Sequence, residues 1–419
     1  MILVDALRPD KLGCYGFPDQ TSPEIDELAA RGVRFERVLA QSNWTKPSVG
    51  SLLTSHYPRT LGIYRKADEI LADRFITLAE VLQSQGYLTI GVTSNPNLNK
   101  DSNFHQGFEH YVESDVVWDW MRREAGKAKL TSTTSLKSAP EVFLAALEVL
   151  GQDPRRPFFM YLHLMDVHTL VKTGIRPEFQ DFFNNYGRDE ERTYYLKVRQ
   201  TSADLGLFVK MLLAKPGCEN TLVVILADHG EGLFDHPNVP NSDGHGLMLY
   251  ESNMRVPLVL CHLAGGLAPR VVGQEVRLVD LLPTLVDYLD IKVKLSGIVG
   301  RSLLPLVNGD REKINLPEYA VVETRTQEQF KVAVYSRNWI YIENRRPYPG
   351  VNPKELQSRY GRQNGRQSDL IKEKAEIAAE MAEFLVEWEK KFPQAKPTPP
   401  IKKISPETLE QLKSLGYIK

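Results

Sequence analysis

The chain predicts an α/β fold: one large, mostly parallel sheet flanked by helices, followed by a small C-terminal α+β subdomain. Three observations point there. Short β-branched runs such as Leu222-Val-Val-Ile-Leu226 alternate with stretches of helical spacing, the pattern of βαβ units. Several of those runs end on residues that carry chemistry, Asp5, Asp228 and His229 among them, and open α/β sheets hold their sites at strand carboxyl ends. After about Leu316 the spacing changes to short strands and one charged helix.

Taken in order, residues 2–4 read as a core strand ending at Asp5, and 21–32 as a capped helix with apolar spacing at Ile25, Leu28 and Ala29. Ser48, Gly50 and Ser51 open a helix at 49–53, and a helix at about 75–85 stops at Gly86. The strand at 88–92 ends in Thr93-Ser-Asn95-Pro-Asn97. Residues 125–138 are rich in Lys, Ser and Thr without a period, which predicts a flexible surface loop. A helix at 140–150 leads to a strong strand at 158–164, which ends at Asp166-Val-His168. Residues 194–213 form a long amphipathic pattern, with Ala203, Leu207, Val209 and Leu212 on or near one face. Strands at 222–226 and 256–260 continue the sheet, and 278–289 reads as a helix. Beyond it, antiparallel strands are expected at 319–322, 330–335 and 339–343, with a charged helix at 369–391. An extended proline-rich stretch at 393–400 precedes a short helix at 406–415. The predicted units are therefore 1–315, 316–392 and 393–419.

A chain of 419 residues can bury a large core. With 52 basic and 53 acidic residues it offers no electrostatic case for nucleic acid or a membrane surface. The basic cluster Arg345, Arg346, Lys354, Arg359, Arg362 and Arg366 is read as a solvated face rather than a polyanion site. Cys14, Cys218 and Cys261 are too few and too scattered for a disulfide framework or a thiolate metal site. No apolar run reaches transmembrane length, so no integral membrane segment is expected. Localisation is left open: cytoplasmic as the sequence is written, periplasmic or exported if the natural N-terminus is longer. Oligomeric state is left open.

Asp5, Thr45, Asp228 with His229, and the pair His168 and His245 each fall at a predicted strand end or strand-to-helix turn. Two carboxylates, an imidazole and a hydroxyl make a mixed oxygen and nitrogen site for a divalent cation, which would turn the threonine into a nucleophile. Pro47 restricts the backbone, and the helix opening near Ser48 favours an anion at its N-terminus. Lys46 and Asn95 are the candidates for the equatorial oxygens of a phosphoryl or sulfuryl group, Ser48 for substrate binding, and His168 or His245 for protonating the leaving group. His163 alternates with core residues and reads as a satisfied core histidine; Cys14, in Gly13-Cys-Tyr-Gly16, reads as part of a turn.

These segments resemble the sulfatase branch of the alkaline phosphatase superfamily. The resemblance rests on Leu3-Val-Asp5-Ala-Leu-Arg-Pro-Asp10, Thr45-Lys-Pro-Ser48, Gln106-Gly-Phe108, the run from Phe158 to His168, and Ala227-Asp-His-Gly-Glu231. It continues with Gly244-His-Gly246, Arg255-Val-Pro257, Asp280-Leu-Leu-Pro-Thr284 and Gly300-Arg-Ser-Leu-Leu304. It implies metal ligation by Asp5, Thr45, Asp228 and His229, and oxyanion or leaving-group contacts from His168, His245 and Asn95. The departures matter too. Family members that use formylglycine carry Cys or Ser at the position of Thr45 and Arg at the position of Val49, so no formylglycine is expected here. Ala6 replaces the usual second acid, and His229 stands where calcium sulfatases often carry an amide. Fewer hard oxygens and one imidazole favour zinc or manganese, with calcium still possible. The expected activity is hydrolysis of a phosphate, phosphonate or sulfate ester of a small molecule, glycan or lipid headgroup through Thr45. A phospho-headgroup transferase and a catalytically silent binding homologue stand as alternatives.

Overall fold

The structure is a computed structural model. It describes residues 1–113, 138–152, 156–168, 174–186, 188–236, 244–326, 329–347, 351–359, 369–399 and 404–414. The loop expected at 125–138 (Ser138 apart) and the basic residues Arg362 and Arg366 lie outside the described residues.

The main sheet has eight strands: β1 (Ile2–Val4), β2 (Val33–Leu39), β3 (Leu88–Thr93), β4 (His110–Val112), β5 (Phe158–Leu164), β6 (Leu222–Leu226), β7 (Arg255–His262) and β8 (Arg270–Arg277). Their order is β4-β3-β5-β1-β6-β7-β2-β8, and only β7 runs antiparallel to its neighbours, β6 and β2. The interior strands β1 and β3 are buried throughout, as strands covered on both faces must be. One group of helices packs together: Ala139–Gln152 lies on β3 and β5 and meets Asp189–Leu213, which in turn meets Pro23–Arg31. A second group centres on Thr45–Thr54, buried along its whole length against Leu281–Tyr288 and Leu78–Ser84.

This topology places the site. β3, β5, β1 and β6 are adjacent and parallel, so their carboxyl ends lie side by side. Asp5 follows β1, Asn95 follows β3, His168 follows β5, and Asp228 with His229 follows β6. The chain leaving β2 enters the buried helix at Thr45.

The second sheet is antiparallel, in the order β12-β11-β10-β9: β9 (Ala320–Arg325), β10 (Phe330–Tyr335), β11 (Trp339–Asn344) and β12 (Lys354–Ser358). Its two-residue period divides it between two cores. Ala320, Val322, Ala333, Tyr335, Ile340 and Ile342 join the main core, while Val321, Val332, Val334, Tyr341 and Leu356 pack with Met381, Leu385 and Trp388 of the helix Ala375–Lys391. The tail then returns along the main unit, where the Ala395 amide donates to the Arg59 carbonyl and the Asn99 amide to Thr408.

Two expectations are corrected. The helix Asp189–Leu213 does not bury Leu207, which is 57% exposed; its buried stripe runs through Tyr194, Val198, Leu205, Phe208 and Leu212. Of the described members of the basic cluster, Arg345, Arg346 and Lys354 are exposed as expected, and Arg359 departs from that face. Arg359 is buried between Glu251 and Glu275, and Arg345 pairs with Glu343 and Glu389, so acidic partners use these charges structurally. Among the described residues, no helix is long and apolar enough to cross a membrane.

Candidate active site

Asp5, Thr45, Asp228 and His229 meet in a buried cluster. The Thr45 hydroxyl donates to Asp5 Oδ2 at 3.2 Å and lies 3.5 Å from His229 Nε2. Asp5 Oδ2 also accepts the Asn95 side-chain amide at 2.9 Å and faces His163 Nε2 at 3.2 Å. Asp228 Oδ1 accepts from the His229 amide at 3.0 Å and from the Ala6 amide at 3.4 Å. Ala6 itself holds a left-handed backbone with φ 59°, a conformation that costs a non-glycine residue on the order of 1 kcal/mol.

The remaining atoms fit a cation. Among the described residues, Asp5 Oδ1 and Asp228 Oδ2 are buried without a hydrogen-bond partner. His229 Nδ1 lies 2.9 Å from the Gly230 carbonyl, which can only accept, so the ring proton sits there and Nε2 carries the lone pair. That nitrogen is 3.6 Å from Asp5 Oδ1 and 3.5 Å from Asp228 Oδ2. Among the described residues, these three side chains form the one group whose ligand atoms lie close enough, within 4.8 Å, to hold a metal ion together. Burial and the adjacent Asp228 carboxylate push the Asp5 carboxyl well above its ordinary range, against the hydrogen bonds from Asn95 and Thr45. Two facing acids and a nitrogen lone pair, all desolvated, are what a divalent cation neutralises.

Two further imidazoles adjoin His229, one tilted against it and the next edge-on. His245 lies 4.2 Å, ring to ring, from His229 and 4.9 Å from His168. Its Nδ1 faces Glu231 Oε1 at 3.2 Å. Burial alone would raise the Glu231 carboxyl, but the neighbouring His245 and the hydrogen bond to it hold it well below the usual carboxylate range. Burial, then the neighbouring His245, pushes His168 well down, so its imidazole is neutral.

Three expected contacts are placed differently. Lys46 does not point at the oxyanion position: its three protons go to the carbonyls of Lys66, Ala67 and Glu69 at 3.2, 2.9 and 3.1 Å. Ser48 donates its proton to the Asp228 carbonyl at 2.6 Å, which fixes the β6 end instead of greeting a substrate. Asn95 touches Thr45, its Nδ2 lying 3.3 Å from Oγ1, and its side-chain carbonyl is capped by the Asn97 amide. It therefore orients Thr45 and Asp5.

Other residues were not singled out by the sequence. His163, expected to be core, is buried but bonds to Asp5; burial lowers it to about 4, so its single proton, at Nε2, serves that bond. Glu231 lies in the quoted Ala227-Asp-His-Gly-Glu231 run, where an acid two residues past a histidine was the available signal. Lys197 sits in the buried stripe of its helix and donates to the His168 carbonyl at 3.1 Å. Arg8 clasps the Glu231 and Gly232 carbonyls and pairs with Asp235. The open groove of about 1010 Å³ between β8 and the C-terminal sheet contains none of these residues.

A parallel sheet that presents a carboxylate–imidazole cluster and a helix-borne threonine at its carboxyl edge defines the class: an α/β enzyme of the alkaline phosphatase type. The chain belongs to the sulfatase family, whose model matches residues 1–291. It is 27% identical to human arylsulfatase A over 355 residues, covering 74% of this chain and 67% of that protein. It is 25% identical to an ulvan-active sulfatase of Formosa agariphila over 340 residues, covering 74% and 65%. The chain thus spans about two thirds of these relatives. Among solved structures it is similar to a phosphonate monoester hydrolase of Agrobacterium radiobacter, with a TM-score of 0.74, 18% identity and coverage of 93% and 95%. A sulfatase-like protein of Bacteroides thetaiotaomicron gives a TM-score of 0.72, 20% identity and 98% coverage of both chains.

Proposed function

We propose that this chain hydrolyses an ester of phosphorus or sulfur through a covalent intermediate on Thr45, with phosphate and phosphonate esters preferred. One observation carries the reading: the Thr45 hydroxyl stands at the first position of a buried helix, bonded to Asp5 and within 3.5 Å of His229. Asp5, Asp228 and His229, with Thr45 itself, are the residues that would hold a divalent cation, and one nitrogen among carboxylate oxygens suits zinc or manganese over calcium. A bound cation would lower the pKa of the threonine hydroxyl and neutralise charge on the transferred group.

The chain's own groups supply the rest. The hydrogen bond to Asp5 marks where the Thr45 proton leaves. Oγ1 then bonds to phosphorus or sulfur as the bond to the leaving oxygen breaks. His245, backed by the Glu231 carboxylate at Nδ1, gives that oxygen its proton, and neutral His168 contacts the departing group. Water then attacks phosphorus or sulfur, giving one proton back to His245, and the bond to Oγ1 breaks as the proton held at Asp5 returns to the Thr45 hydroxyl. The helix N-terminus at Thr45 favours the anionic group throughout. A threonine has no aldehyde hydrate to form, so a simple ester of its hydroxyl is the intermediate, and this suits phosphorus. The substrates fitting this chemistry are small-molecule, glycan or lipid-headgroup esters.

The test is a screen of manganese- or zinc-supplemented protein against an aryl phosphate monoester, a phosphodiester, a phosphonate monoester and a sulfate ester, with Thr45→Ala as control. Turnover of a phosphorus ester that falls at least about 10³-fold in the variant is the expected result. A folded, metal-loaded Thr45→Ala protein with full turnover would sink the reading.

A further inference from the structure

We propose that Arg8 is a positioning residue: it clamps a strained turn at residues 232–235 so that Glu231 stays against His245 and the leaving oxygen receives its proton. The inference rests on the His245 role proposed above and names what holds that imidazole's partner in place.

Arg8 stands three residues past Asp5 and is buried, and its five N–H donors make five hydrogen bonds. Asp10 accepts from Nε at 2.9 Å and from Nη2 at 2.7 Å, a two-point contact that fixes the plane of the guanidinium. Nη1 donates to the carbonyls of Glu231 at 3.0 Å and Gly232 at 3.3 Å, and Nη2 also meets Asp235 Oδ2 at 2.7 Å. One guanidinium therefore holds both the entrance and the exit of a single turn.

That turn needs holding. The Asp235 amide donates to the Gly232 carbonyl at 3.0 Å and closes it. Both central residues are left-handed, Leu233 with φ 46° and Phe234 with φ 60°. Two successive positive φ values favour Asn-Gly or Gly-Gly, because a Cβ crowds the backbone there. Leu233 is also anchored in the core. Backbone strained in this way persists only where its surroundings fix it, and it gathers at functional sites.

What the turn delivers is the partner of His245. Glu231 leads into it, and its Oε1 faces His245 Nδ1 at 3.2 Å. The Gly232 amide donates to the Gly244 carbonyl at 3.0 Å, so the same turn grips the residue before His245. At its other end Arg8 is tied to the segment that carries Asp5. Its amide donates to the Tyr194 hydroxyl at 2.9 Å, and that hydroxyl donates to the Ala6 carbonyl at 2.8 Å. Arg8 thus sets the spacing between Asp5, where Thr45 loses its proton, and the imidazole that supplies one to the leaving oxygen.

The experiment compares phenylphosphonate monoesters of phenol and of 4-nitrophenol, with the sulfate esters of the same two phenols in parallel. Phenol leaves poorly without a proton, whereas 4-nitrophenol leaves readily as the anion. The quantity read is kcat/KM, which reports the steps up to departure of the leaving group. Arg8→Gln is expected to lower it about tenfold or more on the phenol ester and within about threefold on the 4-nitrophenol ester, the asymmetry that Glu231→Gln should also show. Asp235→Ala removes only the half-buried end of the clamp and decides the matter if Arg8→Gln does not fold. It should cost about threefold on the phenol ester and nothing on the other. Equal losses on both esters, or no loss on either, overturn the proposal. Failure of the hydrolase reading is separate: wild type would turn over none of the four esters. Crystal structures of Arg8→Gln and Asp235→Ala then decide without turnover. Leu233 and Phe234 leaving the left-handed region, with Glu231 withdrawn from His245 Nδ1, support the clamp; an unaltered turn overturns it.

Discussion

His229 turns an unprotonated Nε2 toward the partnerless Oδ2 of Asp228 at 3.5 Å, although the two residues are neighbours at one strand end. The Gly230 carbonyl sets the imidazole tautomer, and the sheet brings Asp5 from β1 to the same point. Nothing among these three groups supplies a positive charge, so the arrangement calls for a cation.

Removing one of the acids should therefore be seen first in metal affinity. Asp228→Asn keeps the shape and removes the charge. Calorimetric titration with manganese or zinc is expected to show affinity lowered more than about 100-fold, beyond the effect usual for residues that only support a ligand. Metal-loaded wild type should also melt higher than chelator-treated protein, by a margin that grows with free metal. A melting temperature indifferent to metal would count against the site.

His163 tests whether support for Asp5 matters. His163→Leu fills the same buried space and withdraws the 3.2 Å contact to Asp5 Oδ2. Metal affinity should fall by about 10- to 100-fold with the fold intact. Unchanged affinity would return His163 to the role of core filler.

The C-terminal sheet reaches the site through Thr324, whose hydroxyl donates to the Gly246 carbonyl at 3.0 Å, one residue past His245. Tyr335 holds the Leu249 carbonyl in the same way at 2.7 Å. Thr324→Val leaves a buried carbonyl unpaired, which costs about 1–3 kcal/mol. A drop in kcat with little change in KM is expected, with Thr324→Ser restoring it. If Val and Ser variants behave alike, the clamp is not what positions His245.

Glu323 gives a pH signature remote from the Asp5, Asp228 and His229 cluster. Burial pushes its carboxyl up to about 7, against the nearby Arg59. The folded chain keeps it protonated where the unfolded chain has already ionised, so its contribution to stability is full below an ordinary carboxylate pKa and is lost as the pH rises towards 7. Glu323→Gln cannot ionise. Its melting temperature relative to wild type should rise between about pH 5 and pH 8, reflecting up to about 3 kcal/mol. A constant difference across that range would contradict the assignment.

The strands that carry chemistry were legible because they are apolar on both faces and end abruptly, as 158–164 and 222–226 do. β2 and β8 were not, because Val33–Leu39 and Arg270–Arg277 carry charged residues toward the sheet's outer side, diluting the apolar signal. Asp5, Asp228 and His229 could be read as converging because each follows a strand in a parallel sheet, and Thr45 because a helix opens beside it. Side-chain direction could not. Lys46 and Ser48 sit close to Thr45 in sequence, yet a helix turns neighbouring side chains about 100° apart, and theirs meet backbone carbonyls. His163 was hidden by its strand alternation, which marks burial and says nothing about what a buried nitrogen touches.

The most direct test of the central claim is mass spectrometry of protein quenched during turnover of an active ester. A phosphoryl, phosphonyl or sulfuryl adduct on the peptide holding Thr45, absent from Thr45→Ala, is the predicted result. Steady turnover with an unmodified Thr45 peptide, together with an active Thr45→Ala variant, would contradict the account.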